Sequence, residues 1–273
     1  MNNFWQRAIT GVVFVAAIVG LTLYNEYSFL ILLGFIGMGS LYEYYKIVFK
    51  GKIGLIQILY ILLGVGLISS KYWINMNFAI FGMALLSSLT AIGILLSKER
   101  TWKHIGYLIF GLLYVSLPLT LFYNFSFQQE STVKSSQIIY HSGLALNLFI
   151  LIWCSDTFAY LCGRAFGKHK LFESVSPKKT WEGFIGGGIL TIGFSFLLAY
   201  CFNISFSLNA TIALSTVVIG SLGDLVQSML KREFDVKDSG TILPGHGGVL
   251  DRFDALLISL PFTTFCYFLA YYF

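Results

Sequence analysis

The chemistry of this chain is concentrated between Gly220 and Asp254. There an apolar run ends in Gly223-Asp224-Leu225-Val226-Gln227-Ser228-Met229-Leu230-Lys231-Arg232, passes through Lys237-Asp238, and reaches Pro244-Gly245-His246-Gly247-Gly248-Val249-Leu250-Asp251-Arg252-Phe253-Asp254. On a helix, Asp224, Ser228 and Lys231 fall at i, i+4 and i+7, so one stripe carries a carboxylate, a hydroxyl and an ammonium. A stripe that only packs is normally apolar. This one suits a metal-bound phosphate, with the acid on a hard cation and the lysine on phosphate oxygens.

Two glycine- or lysine-rich segments extend the pattern. Pro244-Gly245-His246-Gly247-Gly248 offers backbone amides with no Cβ in the way, a lining for close approach to anionic oxygens, although glycine turns are common. In Ser174-Val175-Ser176-Pro177-Lys178-Lys179-Thr180-Trp181-Glu182-Gly183, Pro177 breaks the chain ahead of a helix and lysines gather with hydroxyls at its start, which favours an anion there. Asp251 and Asp254 lie at the mouth of the last helix, where acids also cap; Asp251 reads as a metal ligand, and Asp254 equally as ligand or cap. Gly163-Arg164-Ala165-Phe166-Gly167-Lys168-His169 is not a Walker A loop, having three residues between its glycines and His169 after Lys168.

The elements that must position these residues are membrane helices. The chain is 56% hydrophobic and only 11% charged, with a mean hydropathy of +0.76, against about 25% charged in soluble domains. A span needs roughly 20 apolar residues, and the charged clusters leave about nine such runs: Trp5 to Tyr24, Tyr27 to Val48, Ile53 to Ser70, Trp73 to Leu96, Ile105 to Phe125, Gly143 to Cys162, Gly183 to Phe202, Leu208 to Leu230 and Phe253 to Phe273. Without period-two alternation they predict an all-α, polytopic membrane protein and not a barrel. The division expected is an N-terminal scaffold over 1–142, about five helices, and a catalytic region over 143–273, about four, with Asn124 to Ser142 as a connector. Gly183-x-x-x-Gly187 reads as a close-packing helix face.

Alternate connections carry sixteen of the eighteen basic residues, which predicts that side to be cytoplasmic, the N-terminus inside and the C-terminus outside. The first apolar run is long and shows no small-residue cleavage site, so it is expected to remain as a span. The net charge of +5 then reads as topology and attraction to anionic lipid. A nucleic-acid role is not expected, because the aromatic residues lie in spans and not among a basic face. Cys154, Cys162, Cys201 and Cys266 form no CxxC pair and read as packing residues. An aspartate at mid-membrane costs about 2.5 to 3.5 kcal/mol, so it faces a cavity, a partner or an ion. Asp156 and Asp224 are of this kind. Either alone could serve a helix-to-helix hydrogen bond or snorkel; together with Asp251 they point to function, with Asp156 the weaker third metal candidate.

The run Ser228-x-x-Lys231-Arg232, Lys237-Asp238, Pro244-x-His246-Gly247-Gly248 and Asp251-Arg252-x-Asp254 resembles the signature of the phosphatidate cytidylyltransferase, or CDP-diacylglycerol synthase, family. Ser155-Asp156-Thr157, Gly167-Lys168-His169 and Ser176-Pro177-x-Lys179-Thr180-x-Glu182-Gly183 are similar to its bacterial members, so the likeness runs from Ser155 to Asp254. The resemblance implies CTP and phosphatidic acid as substrates, CDP-diacylglycerol and pyrophosphate as products, one or two Mg²⁺ ions, the inner face of the bacterial cytoplasmic membrane, and a homodimer. It implies Asp224 and Asp251 as metal-binding acids with Ser228 and Lys231 beside them. Substrate contacts are expected from Ser176, Lys178, Lys179, Thr180, Arg232, Lys237, His246, Gly247, Gly248 and Arg252. Two other classes share parts of this pattern. A transporter would bury Asp156 and Asp224 but would not need basic residues and a glycine turn on one face, and a CTP-dependent lipid kinase would transfer the γ-phosphate. A CDP-alcohol phosphotransferase would need an Asp-x-x-Asp-Gly-x-x-Ala-Arg run, which is absent.

Overall fold

A computed structural model describes residues 3–69, 88, 102–132, 135–173, 175–243, 245 and 247–272. Long apolar stretches satisfy their backbone internally by winding into helices, and among the described residues eight long helices follow in order: α1 (Asn3–Tyr24), α2 (Glu26–Val48), α3 (Leu55–Ile68), α4 (Lys103–Phe125), α5 (Ser142–Phe166), α6 (Trp181–Phe202), α7 (Phe206–Glu233) and α8 (Leu250–Tyr272). The middle of α4 widens into a π turn at Leu112–Ser116. Among the described residues five of these, α4 to α8, are long and apolar enough to cross a membrane. Eight of the nine predicted runs are helical. The remaining run, Trp73 to Leu96, lies outside the described residues apart from Ser88, and α3, at 14 residues, is about 21 Å long against a hydrocarbon core of about 30 Å.

The helices are joined by residues suited to stop them. Lys50 (φ 51) and Gly51 (φ 83) turn the chain after α2 in the left-handed region, with the Gly51 amide donating to Lys46 O at 2.7 Å. Asn203 (φ 54) closes α6 and donates to Ala199 O, the short polar side chain making that conformation tolerable. Two antiparallel ribbons accompany the helices, which an all-α reading did not include: β1 (Phe127–Thr132) with β2 (Ser135–Tyr140), and β3 (Lys170–Phe172) with β4 (Ser176–Thr180). The first forms what the sequence suggested was only a connector. Both lie outside the spans of α4 to α8, where strand ribbons can exist without unpaired edges in hydrocarbon.

Two compact units result, one formed by 1–21, 27–124 and 238–251, the other by 22–26, 125–237 and 252–273. In the first, Phe29 is buried edge-on against Phe122 with ring centroids 5.3 Å apart. The buried Tyr45 donates its hydroxyl to Leu108 O at 2.9 Å, so its polar tip is satisfied while its ring fills the core. In the second, α5 and α6 approach closely along the predicted glycine face: a Cβ on Gly187 would lie 2.5 Å from Ala159 N, and one on Gly183 2.7 Å from Ala159 O. Asn147 and Asn209 pair their buried amides at 2.7 Å, and Asn209 also donates to Ser195 O at 2.7 Å, tying α5, α6 and α7. Because α5, α6, α7 and α8 alternate in direction, the C-terminal ends of α5 and α7 share one end of this unit with the N-terminal ends of α6 and α8.

Candidate active site

That end carries the charged residues. The α7 stripe forms as the spacing predicted: Asp224, Ser228 and Lys231 are all helical and half-buried, whereas Leu222, Val226 and Met229 on the other side are exposed. Gly223 lets α7 approach α8, since a Cβ there would meet Ile258 at 2.9 Å and Asp254 O at 3.0 Å. Lys179, the last-but-one residue of β4, reaches across to α7. Its Nζ lies 2.6 Å from Asp224 Oδ2 and donates to Ser221 O at 3.3 Å.

Asp156 and Asp254 belong to the same electrostatic neighbourhood. Asp156 senses the charges of Lys179, Asp224 and Arg252, and Asp254 those of Asp224, Asp156 and Lys231. Asp254 is buried, with its Oδ1 accepting from the Ala255 amide at 2.7 Å, whereas Asp156 opens onto a cleft of about 320 Å³. The cleft is lined by Arg164, Lys178, Lys179 and Thr180 together with Ala159, Tyr160, Leu171 and Phe184. A lining that mixes cations with apolar side chains fits a molecule with an anionic head and a hydrocarbon body.

The approach to the cleft is stiffened by local bonds. Thr180 caps α6 by accepting from Gly183 N at 3.2 Å, one of the orphan amides of a helix start. Glu182 in the first turn accepts from the amides of Lys168 at 3.0 Å and His169 at 3.2 Å and contacts His169 Nδ1 at 2.6 Å. Ser176 begins β4, half-buried, and Lys178 is exposed. Arg232 and Lys237 are exposed at and beyond the end of α7, and Arg252 is exposed on α8.

Asp251 lies in the first unit. Its Oδ2 accepts from Ser239 N at 2.9 Å and from Gly248 N at 3.3 Å, two backbone bonds that fix the carboxylate. The glycine turn has the backbone its composition suggested, with Gly245 at φ 76 and Gly247 at φ 85, and Leu243 N donating to Gly247 O at 3.0 Å. Gly248, however, is buried and its amide serves Asp251. Pro244 and His246, together with Ser174 upstream, lie outside the described residues.

One residue that the sequence reading passed over emerges beside Asp251. Glu43 on α2 is 1% exposed and accepts hydrogen bonds from Ser239 Oγ at 2.7 Å, Leu250 N at 2.9 Å and Val249 N at 3.0 Å. Its signal was an acid within an otherwise apolar run, the same signal that marked Asp156 and Asp224.

The model of the Cytidylyltransferase family matches residues 5–270 of the chain. This chain belongs to the cytidylyltransferase family. It is 34% identical over 280 residues to a phosphatidate cytidylyltransferase of Bacillus subtilis (strain 168), covering 97% of this chain and 98% of the relative. A phosphatidate cytidylyltransferase of Staphylococcus saprophyticus is 36% identical over 84% of this chain and 85% of its own. One of Haemophilus influenzae is 48% identical over 46% of each. For a cytidylyltransferase, the charged end of the second unit and the Asp251 turn are the parts with suitable chemistry. Among the described residues no three or more His, Cys, Asp or Glu side chains form a cage for a metal. Mg²⁺ usually takes only one or two protein carboxylates and leaves the rest of its shell to water and phosphate oxygens. The donors here fit that habit: they are carboxylates, and a cation, the Lys179 ammonium, already rests on Asp224.

Proposed function

We propose that this enzyme transfers the cytidylyl group of CTP to phosphatidic acid, releasing pyrophosphate and leaving CDP-diacylglycerol in the membrane. An oxygen of the phosphatidate phosphate attacks the α-phosphorus of CTP in line with the departing pyrophosphate; one P–O bond forms and the α–β P–O bond breaks. The nucleophile is already an anion, so the enzyme needs no strong base. It needs to hold two polyanions together and to receive the charge that leaves.

The residues divide that work. Lys178, Lys179 and Arg164 line the cleft with Thr180 and receive phosphate oxygens, while Ala159, Tyr160 and Phe184 shelter the start of an acyl chain. Lys231 and Arg232 meet the triphosphate, Ser228 donates its hydroxyl beside Asp224, and Ser176, Lys237 and Arg252 add substrate contacts, as His246 and Gly247 are also expected to do. Asp224 and Asp251 would each bind Mg²⁺, with Asp156 and Asp254 supporting Asp224, and the metal would supply charge neutralisation of the phosphates. The enzyme resides in the bacterial inner membrane as a homodimer, with 143–273 as the catalytic region and the site open to the cytoplasm, where CTP is.

The observation that carries this reading is the cleft at Asp156 and Lys179, lined by both cationic and apolar side chains, in a chain of the cytidylyltransferase family. The test is to supply purified protein with labelled CTP and phosphatidic acid, with Mg²⁺ or with a chelator, and to identify the products. CDP-diacylglycerol and pyrophosphate, formed only with Mg²⁺, are expected. A phosphorylated lipid and free CDP would show kinase chemistry instead.

A further inference from the structure

The buried carboxylate of Glu43 does none of the work just assigned, yet it sits at the centre of the hydrogen bonds that shape the turn leading to Asp251. We propose that Glu43 is a positioning residue: from α2 it fixes the segment 238–250 and thereby sets the place and direction of the Asp251 carboxylate. The inference rests on the reading of Asp251 as a metal-binding acid.

The geometry is a two-layer relay. Glu43 Oε2 takes the Ser239 hydroxyl and the Leu250 amide, and Oε1 takes the Val249 amide. Ser239 and Gly248 in turn give their amides to Asp251 Oδ2. Ser239 is thus shared, its side chain held by one acid and its backbone holding the other. The two glycines around Glu43 complete the fit, because a Cβ on Gly240 would collide with the Glu43 carboxylate and one on Gly248 with Ser239 Oγ and Glu43. An ionised carboxylate only accepts hydrogen bonds, so it can take all three donors at once. A buried glutamate is costly unless so satisfied, and here it joins one helix to a turn some two hundred residues later in the chain.

Glu43→Gln keeps the shape and removes that property. Whichever way its amide turns, an NH₂ faces the Val249 or the Leu250 amide, donor against donor. Losing one charge-assisted bond of this kind corresponds to about a tenfold change in a local equilibrium. Two readouts other than turnover apply to the full-length protein in detergent: hydrogen exchange of peptides covering 238–250, and Mn²⁺ binding followed by electron paramagnetic resonance. Glu43→Gln is expected to accelerate exchange of that segment and weaken Mn²⁺ binding, each about tenfold, with peptides of α7 unchanged. Ser239→Ala, which severs only the shared hydroxyl, should move both in the same direction by a smaller factor. If α7 also exchanged faster, Glu43→Gln would have loosened the whole fold, and Ser239→Ala would decide. Unchanged exchange, or faster exchange with wild-type Mn²⁺ affinity, overturns the inference while leaving Asp251 as a ligand if Asp251→Asn has lost Mn²⁺. Full Mn²⁺ affinity in Asp251→Asn overturns the metal reading itself, and this inference with it.

Discussion

Lys179 and Asp224 touch at 2.6 Å, but their side chains are 28% and 36% exposed. A pair so open to solvent is worth about 1 kcal/mol or less, so it can break readily when a phosphate competes for the lysine. The ion pair is then a resting arrangement that keeps an ammonium at the cleft with the Asp224 carboxylate next to that ammonium. Lys179→Ala should lower kcat/KM for CTP about a hundredfold with little change in thermal stability, and Lys179→Arg should recover part of it. Normal turnover by Lys179→Ala would remove it from the site. Asp224→Asn and Asp251→Asn keep the size of the side chain and lose the charge; each should reduce CTP-dependent turnover by about a thousandfold or more in reconstituted membranes. Asp156→Asn, which removes a carboxylate that lines the cleft, should impair turnover and leave insertion intact. If either Asp224→Asn or Asp251→Asn, well inserted, retained wild-type rates, its assignment to metal would fail.

At the scale of helices, the cleft exists because α5 and α6 pack almost backbone to backbone at Ala159. A valine at Gly187 would have to displace Ala159 main chain, an overpacking cost of about 1 to 3 kcal/mol, whereas a Cβ at Gly193 on the same helix meets nothing within 4 Å. Gly187→Val should lower the unfolding temperature in detergent and reduce activity, and Gly193→Ala should change neither by much; equal behaviour of the two would show that the close approach does not matter. This face was legible from Gly183-x-x-x-Gly187, as were the helices from their apolar runs and the α7 stripe from the spacing of Asp224, Ser228 and Lys231. The ribbon Phe127–Thr132 with Ser135–Tyr140 was not, because its strands lack a clear alternation and sit in a polar connection. Glu43 was missed for a different reason. It lies near Lys46 at the end of an apolar run in the half read as scaffold, and two of its three partners are backbone amides, which no residue type announces. The pairing of Lys179 with Asp224 was likewise hidden, since both residues were singled out but nothing in their separation brings them together until β4 and α7 are placed.

For the molecule as a whole, the question is which way the charged end faces. In the second unit Arg164, Lys168, Lys170, Lys178, Lys179, Lys231, Arg232, Lys237 and Arg252 all belong to the end where α5 and α7 finish and α6 and α8 begin. The opposite end holds the β1–β2 ribbon, Asn203 and Ser205. Basic residues are retained on the cytoplasmic side during insertion and are held there by anionic headgroups, so the orientation we propose would put Asp156, Lys179 and Asp224 on the side that CTP can reach. In a variant lacking the four native cysteines, Ser205→Cys and Lys237→Cys would report the two ends, since both residues are exposed. A membrane-impermeant maleimide applied to intact cells stripped of their outer barrier should label the cysteine at 205, and should label the one at 237 only after permeabilisation. The reverse pattern would open the cleft away from the nucleotide pool, so a cytosolic CTP could not be its substrate even if every side chain were placed as described. Orientation is therefore as necessary to the proposed reaction as the two aspartates, and it is set by charges most of which need never touch a substrate.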